Sequence, residues 1–180
     1  MTKTESLLVQ QLNDEATAKQ AFSQLVSLYQ VKIYHTIRRM LIDHEDTNDA
    51  VQLTFIKAWQ KRAQFNERAS FFTWLYRIGT NEALQHLRKK RQQMSTVDYS
   101  EVLLSHCAAE GELSADEVQL KLEKALLQLP DKQRLVFQLK YFDELKYEEI
   151  ATITSTSVGA LKASYHHAVK KIENYINHHD

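Results

Sequence analysis

Apolar residues recur at spacings of three and four through most of this chain, the period of helices that bury one face. From about Asp14 to Ile42 they fall on one stripe of Phe22, Leu25, Val26, Tyr29, Ile33, Ile37, Met40 and Leu41. The segment DHEDTND breaks the stripe. Asp46 or Thr47 is placed to cap a second helix, DAVQLTFIKAWQKR, whose dipole Asp49 favours. AQFNERAS reads as a loop, and FFTWLYRIGTNEALQHLRKKR as a third helix. Periodicity fades between Gln92 and Ala115. It returns from Asp116 through Val118, Leu122, Leu126 and Leu127, then breaks at LPDKQR, where Pro130 suits the first position of a helix running to about Tyr141. Two short patterns close the chain, KYEEIATIT and STSVGALKASYHHAVKKI. The expected fold is all-α, with two small helical domains at 1–91 and 116–180 joined by a flexible linker at 92–115.

Three glycines and one proline leave little material for sheets joined by tight turns, which reinforces the all-α reading. The linker carries Asp98, Glu101, Glu110 and Glu112 without a Lys or Arg, so it is acidic. The 23 basic and 23 acidic side chains of the whole chain cancel, so any affinity for nucleic acid must come from local patches. No run approaches the roughly eighteen apolar residues of a membrane span. The start, MTKTESLLVQQLNDE, lacks the layout of a signal peptide. The single cysteine, Cys107, excludes an internal disulfide and suits a reducing compartment. A cytoplasmic protein without direct membrane insertion is expected.

The last pattern has two unlike faces. Val158, Leu161, Tyr165, Ala168 and Ile172 form an apolar stripe, and Gly159, Lys162, Ala163, His166 and Lys170 lie opposite without one carboxylate. Ser157 is a good N-cap, and the preceding short helix would bury Ile150, Ala151 and Ile153, which is the layout of a helix-turn-helix. In that motif the second helix enters the DNA major groove, led by its N-terminal residues. Gly159, Ala160 and Ala163 would let backbone approach the groove while Lys162 and Lys170 reach phosphate or base edges. The competing explanation is an amphipathic helix whose polar face meets water. Three small residues on that face argue against it, because a solvated helix favours charged helix formers.

A second candidate lies between Ser70 and Arg91, where Phe71, Phe72, Trp74 and Tyr76 precede RKKR and Arg77, Asn81, Gln85 and Arg88 share one polar stripe. Rings that stack on bases beside cations that neutralise phosphate suit single-stranded nucleic acid. Taken singly, each aromatic fits a buried core better. Catalytic readings find no support: there is no Gly-rich phosphate loop, HExxH or GxSxG. His166–His167 and His178–His179 are adjacent pairs without the i, i+4 spacing that aims two imidazoles at one metal. Cys107 has no basic neighbour to activate its thiol. No enzyme activity, metal or cofactor is expected.

DAVQLTFIKAW, FFTWLYRIGTNEALQHLRKKR, LPDKQRLVFQLKYFDELKYEEIA and SVGALKASYHHAVKKI resemble, in that order, the characteristic segments of the extracytoplasmic-function sigma factors. These are the small two-domain members of the bacterial sigma-70 family, and the resemblance spans about Phe22 to Ile176. It implies a promoter-specificity subunit of RNA polymerase. The N-terminal domain then corresponds to sigma domain 2, in which Asp46, Asp49, Gln52 and Phe55 match the segment that docks on the clamp helices of the β′ subunit. The loop Gln64 to Ser70 and the helix after it match the region that captures an unpaired base of the −10 element and holds the opened strand. The residues involved would be Asn66, Arg68, Ser70, Trp74, Arg77, Asn81 and Arg88. The C-terminal domain corresponds to sigma domain 4, which touches the β flap. Its helix-turn-helix would read the −35 element through Ser157, Gly159, Ala160, Lys162, Ala163, His166 and Lys170.

The same resemblance implies that the linker threads the active-site cleft toward the RNA exit channel. About 25 extended residues at about 3.3 Å each reach up to about 80 Å. An anti-sigma factor, often membrane-anchored, is a further partner that the family implies, although the sequence shows no dedicated element for it. The chain departs from the family at a few positions. Many relatives carry Ser and Arg where it has Ala163 and Ser164, Arg where it has His167, and a capping Ser where it has Lys146. Those departures imply weaker or altered −35 reading. Two other classes compete. A stand-alone helix-turn-helix regulator gives no reason for the two upstream segments, and a polymerase-binding decoy would have lost promoter reading.

Overall fold

Asp14 starts the longest helix by accepting the Ala16 N–H on its side chain at 3.1 Å, and that helix is one of eight among the described residues. The computed structural model describes residues 3–67, 69–93 and 117–178. In the first half, α1 (Lys3–Gln11) lies on α2 (Glu15–Leu41), and α2, α3 (His44–Lys61) and α4 (Phe71–Gln93) pack on one another. A 3-10 turn at Arg62–Gln64 leads out of α3. In the second half, α8 (Val158–His178) packs against α5 (Glu117–Leu127), α6 (Asp131–Tyr141) and α7 (Tyr147–Thr154). The all-α expectation holds. Most of the linker lies outside the described residues.

The periodic positions of α2 are its core face: Leu25, Ile33, Ile37, Met40 and Leu41 are buried, while Phe22, Val26 and Tyr29 are half-buried at its edge. Leu75, Ala83 and Leu87 of α4 and Ala50 and Ala58 of α3 close on them. Gly79 sits where the three helices converge. A Cβ there would stand 3.4 Å from side-chain carbons of both Ile37 and Thr54. The sequence pattern missed α1, whose Leu8 and Val9, with Leu12 just beyond, join the same core.

Two start signals fall elsewhere than expected. The cap of α3 is Asp43, not Asp46 or Thr47: its carboxylate accepts the Asp46 N–H at 2.9 Å. The chain can turn there because Ile42 takes φ 67°, a conformation costly for a β-branched residue and held here by burial of its side chain. Pro130 precedes the first helical residue of α6 instead of occupying it, and its carbonyl accepts the Arg134 N–H at 2.9 Å.

In the C-terminal half the missing capping serine at Lys146 is offset from the other side. Glu149 reaches back to the Lys146 N–H at 2.9 Å, which is half of a capping box. α7 ends at Ser155 in the left-handed region, φ 53°, and Ser157 then accepts the Ala160 N–H at 3.3 Å to start α8. Ser157→Ala is expected to cost about 1 kcal/mol in a urea melt. Ala125, Leu126, Leu129, Phe137, Ala168 and Ile172 form a core of their own. Leu139, Leu145, Ile150, Ile153 and Leu161 are continuous with the N-terminal core, because the two halves are docked: α6 lies on α2, and α7 on α4.

Candidate functional site

Three exposed faces carry most of the candidate residues. The first is the outer side of α3, where Asp49 and Gln52 are exposed on successive turns. Leu53 and Ile56 are 45% and 43% exposed beside them, so this face has an apolar centre that the described residues leave open. The sequence reading missed both, although their i, i+3, i+4, i+7 spacing from Asp49 was a usable signal. Phe55 is half-buried against the core. Asp46 does not join this face. It is ion-paired with Lys90 and lies 3.0 Å from His86 Nε2, so it staples α3 to the end of α4.

The second face runs along α4. Arg77, Asn81, Gln85 and Arg88 are exposed in one line, because the other side of the helix is core. With Lys57 and Lys61 of α3 the last three border a shallow groove of about 220 Å³. Lys57 is tied to Glu82 at 2.6 Å, which leaves the cationic character of the groove to Lys61 and Arg88. At the head of α4, Ser70 is the cap: its hydroxyl accepts the Thr73 N–H at 3.1 Å. Phe65 meets Phe71 and Trp74 at centroid distances of 5.5 and 5.3 Å, which anchors the loop onto the helix. Phe71 and Tyr76 are core, Phe72 and Trp74 half-buried, and Asn66 exposed. Arg68 lies outside the described residues.

The third face belongs to α8. Leu161, Ala168 and Ile172 are buried, and the opposite side presents Gly159, Ala160, Lys162, Ala163, His166 and Lys170, all exposed, with Ser157 at the head. A Cβ on Gly159 would meet nothing within 4 Å, so the approach to the helix is open. Burial among aromatic neighbours raises the Tyr165 phenol above its ordinary value, consistent with its place at the edge of the core. Among the described residues no cluster of His, Cys, Asp and Glu is arranged to hold a metal.

Comparison with known proteins matches these halves separately. The sigma-70 region 2 family matches residues 25–93, and the sigma-70 region 4 family matches residues 119–172. The extracytoplasmic-function RNA polymerase sigma factor SigW of Bacillus subtilis is 33% identical over 81% of this chain and 83% of its own length. The RNA polymerase sigma-H factor of Pseudomonas aeruginosa is 33% identical over 86% of each. The chain belongs to the extracytoplasmic-function sigma factors. Its fold is also that of CnrH, solved in complex with the cytosolic domain of CnrY, with a TM-score of 0.73 at 23% identity over 99% of this chain and 100% of that one. It resembles as well the sigma factor RpoE of Bartonella quintana, solved with the anti-sigma factor NepR, with a TM-score of 0.66 at 22% identity over 87% and 96%.

Membership settles the class. This sigma factor directs promoter-specific transcription initiation, and the partners of such factors are core RNA polymerase and promoter DNA. A stand-alone regulator would have no use for region 2. No described helix is long and apolar enough to cross a membrane.

Proposed function

We propose that the three faces divide the work of initiation. The α3 face, with Asp49, Gln52 and Phe55, docks on the clamp helices of the β′ subunit, with Leu53 and Ile56 as its apolar centre. Asn66, Arg68, Ser70 and Trp74 around the head of α4 hold an unpaired base of the −10 element, and Arg77, Asn81 and Arg88 track the opened strand. α8 enters the major groove of the −35 element through Ser157, Gly159, Ala160, Lys162, Ala163, His166 and Lys170, and its unit touches the β flap. Units 1–91 and 116–180 act as the two recognition bodies, and 92–115 threads between them through the polymerase. The protein works in the cytoplasm by binding and recruitment, without chemistry of its own. An anti-sigma factor, the kind of partner seen with the Bartonella quintana neighbour, would hold it inactive by covering these surfaces.

The observation that supports this reading best is the α8 face. Its small and basic residues are all exposed on a helix whose opposite side is core, so the helix can enter a groove without unpacking. Lys162→Glu is expected to weaken binding of holoenzyme to a promoter fragment about tenfold, within the range of a lost DNA contact, and to leave core-polymerase binding unchanged. Equal loss of both would remove α8 from the promoter interface. A decoy would bind polymerase and give no promoter-dependent transcript.

A further inference from the structure

The groove between α3 and α4 holds one group that a strand-binding surface has no evident use for. Glu82 stands next to Asn81 on the α4 wall, with a side chain only 9% exposed, and borders the groove together with Lys57. A carboxylate in this place repels the phosphates that Lys61 and Arg88 attract. Lys57 offsets that charge through the 2.6 Å contact between its Nζ and Glu82 Oε2. Other contacts already close the two helices on each other. Ala50, Ala58, Ala83 and Leu87 are buried in the core they share, and Lys90 reaches Asp46 farther along.

What the pair presents to the groove is an acceptor beside a donor. Glu82 Oε1 has no hydrogen-bond partner among the described residues, and a carboxylate at neutral pH accepts without donating. The Lys57 ammonium carries three protons and makes its one hydrogen bond among those residues to Oε2. Ile78 and Leu84, half-buried on the α4 wall, supply apolar surface for a ring. An unpaired base is read on its Watson–Crick edge. Oε1 lies recessed below Asn81, Gln85 and Arg88, which are exposed, so a donor that projects from the ring reaches it best. Cytosine, adenine and guanine each carry a projecting amino group. Thymine carries none, and its ring N–H is set back between two carbonyl oxygens that a carboxylate repels.

We propose that the Lys57–Glu82 pair is a base-reading element of this groove, which accepts an exocyclic amino group of the opened strand on Glu82 Oε1 and so favours an amino-bearing base over thymine. This deepens the reading above, that α4 tracks the opened strand, and rests on it. The groove then works in two layers. Lys61 and Arg88 at the rim hold phosphates, contacts that carry no sequence information. The recessed pair meets the base edge: Glu82 accepts from the amino group, and Lys57 fixes the carboxylate, cancels its repulsion of the strand and can donate to the acceptor beside that amino group.

Fluorescence anisotropy with oligo(dC) and oligo(dT) of about twelve nucleotides tests this, on holoenzyme with core enzyme alone as the baseline. The two strands differ at each base edge by an amino group against a carbonyl. Glu82→Gln keeps the shape of the side chain. With its oxygen on Lys57, its amide turns N–H toward the groove where Oε1 stood. The ratio of oligo(dC) to oligo(dT) affinity is expected to fall about tenfold, the scale of one base-edge contact. Arg88→Ala is expected to weaken both strands alike, as the loss of a phosphate contact does. Lys57→Glu with Glu82→Lys keeps an ion pair and the melting temperature but recesses the ammonium, so its ratio stays low, and it decides the matter should Glu82→Gln fail to fold. An unchanged ratio in Glu82→Gln, or a ratio that the exchanged pair restores along with the melting temperature, overturns base reading alone and leaves a clamp between helices. Strand binding no tighter than that of core enzyme and indifferent to Arg88→Ala overturns the reading of the α4 face, and the role of the pair with it.

Discussion

Asp49→Arg combined with Gln52→Ala is expected to abolish capture of core RNA polymerase, with a loss of at least about a hundredfold in affinity. The reason is the composition of the α3 face. Leu53 and Ile56 give it an exposed apolar centre with Asp49 and Gln52 exposed at its edge, and in the proposed docking that polar edge would fix register. Reversing a charge at such an edge turns steering into repulsion, while removing the amide leaves a partner group unpaired. Both side chains are exposed, so the melting temperature should stay within about 2 °C of wild type. Titration of labelled variant against core enzyme, beside a thermal melt, checks both halves of this expectation. Asp46→Asn, by contrast, removes a contact between α3 and α4 and should lower stability more than it lowers polymerase affinity. Unchanged capture by the double variant would move the docking surface elsewhere.

Arg134→Met is expected to cost about 3 kcal/mol in urea unfolding, the scale for breaking a buried, charge-assisted contact. Arg134 is 2% exposed, although it carries a full charge, and its guanidinium lies against the Met40 carbonyl and 3.7 Å from Asp131. Met fills much of the same volume, so the loss reports the unmet carbonyl and the missing cation at the negative end of α2 more than a cavity. Because the contact joins the two units, the variant should also unfold in two steps where the wild type unfolds in one. A cost below about 0.5 kcal/mol would mean that Arg134 faces water in solution and that the units are not docked.

Much of the fold was legible because helix periodicity is local. The stripe from Leu25 to Leu41 and the two-faced pattern of α8 follow from spacing alone, and Ser157 announced its own cap. The start at Pro130 was misplaced by one residue, and the cap at Asp43 by three or four, since several Asp and Thr neighbours offer equivalent oxygens and only the backbone at Ile42 selects among them. The docking was not legible at all. Thr36, Arg39, Arg134, Gln138 and Asp143 are scattered polar positions whose partners lie about a hundred residues away in the chain, beyond any periodic signal. The candidate faces were legible as chemistry more than as geometry. Composition showed a carboxylate-free face on α8, but nothing in the sequence showed Asp46 turned toward Lys90, and the spacing that puts Leu53 and Ile56 on the face of Asp49 went unread.

The central claim is that this chain gives core RNA polymerase a choice of promoters. Its most direct test is run-off transcription with purified core enzyme on fragmented genomic DNA, followed by mapping of RNA 5′ ends with and without the chain. The account predicts start sites that depend on the chain, share sequence near −10 and −35, and weaken together with Lys162→Glu. Start sites that do not change when folded chain is added to cognate core enzyme would contradict it.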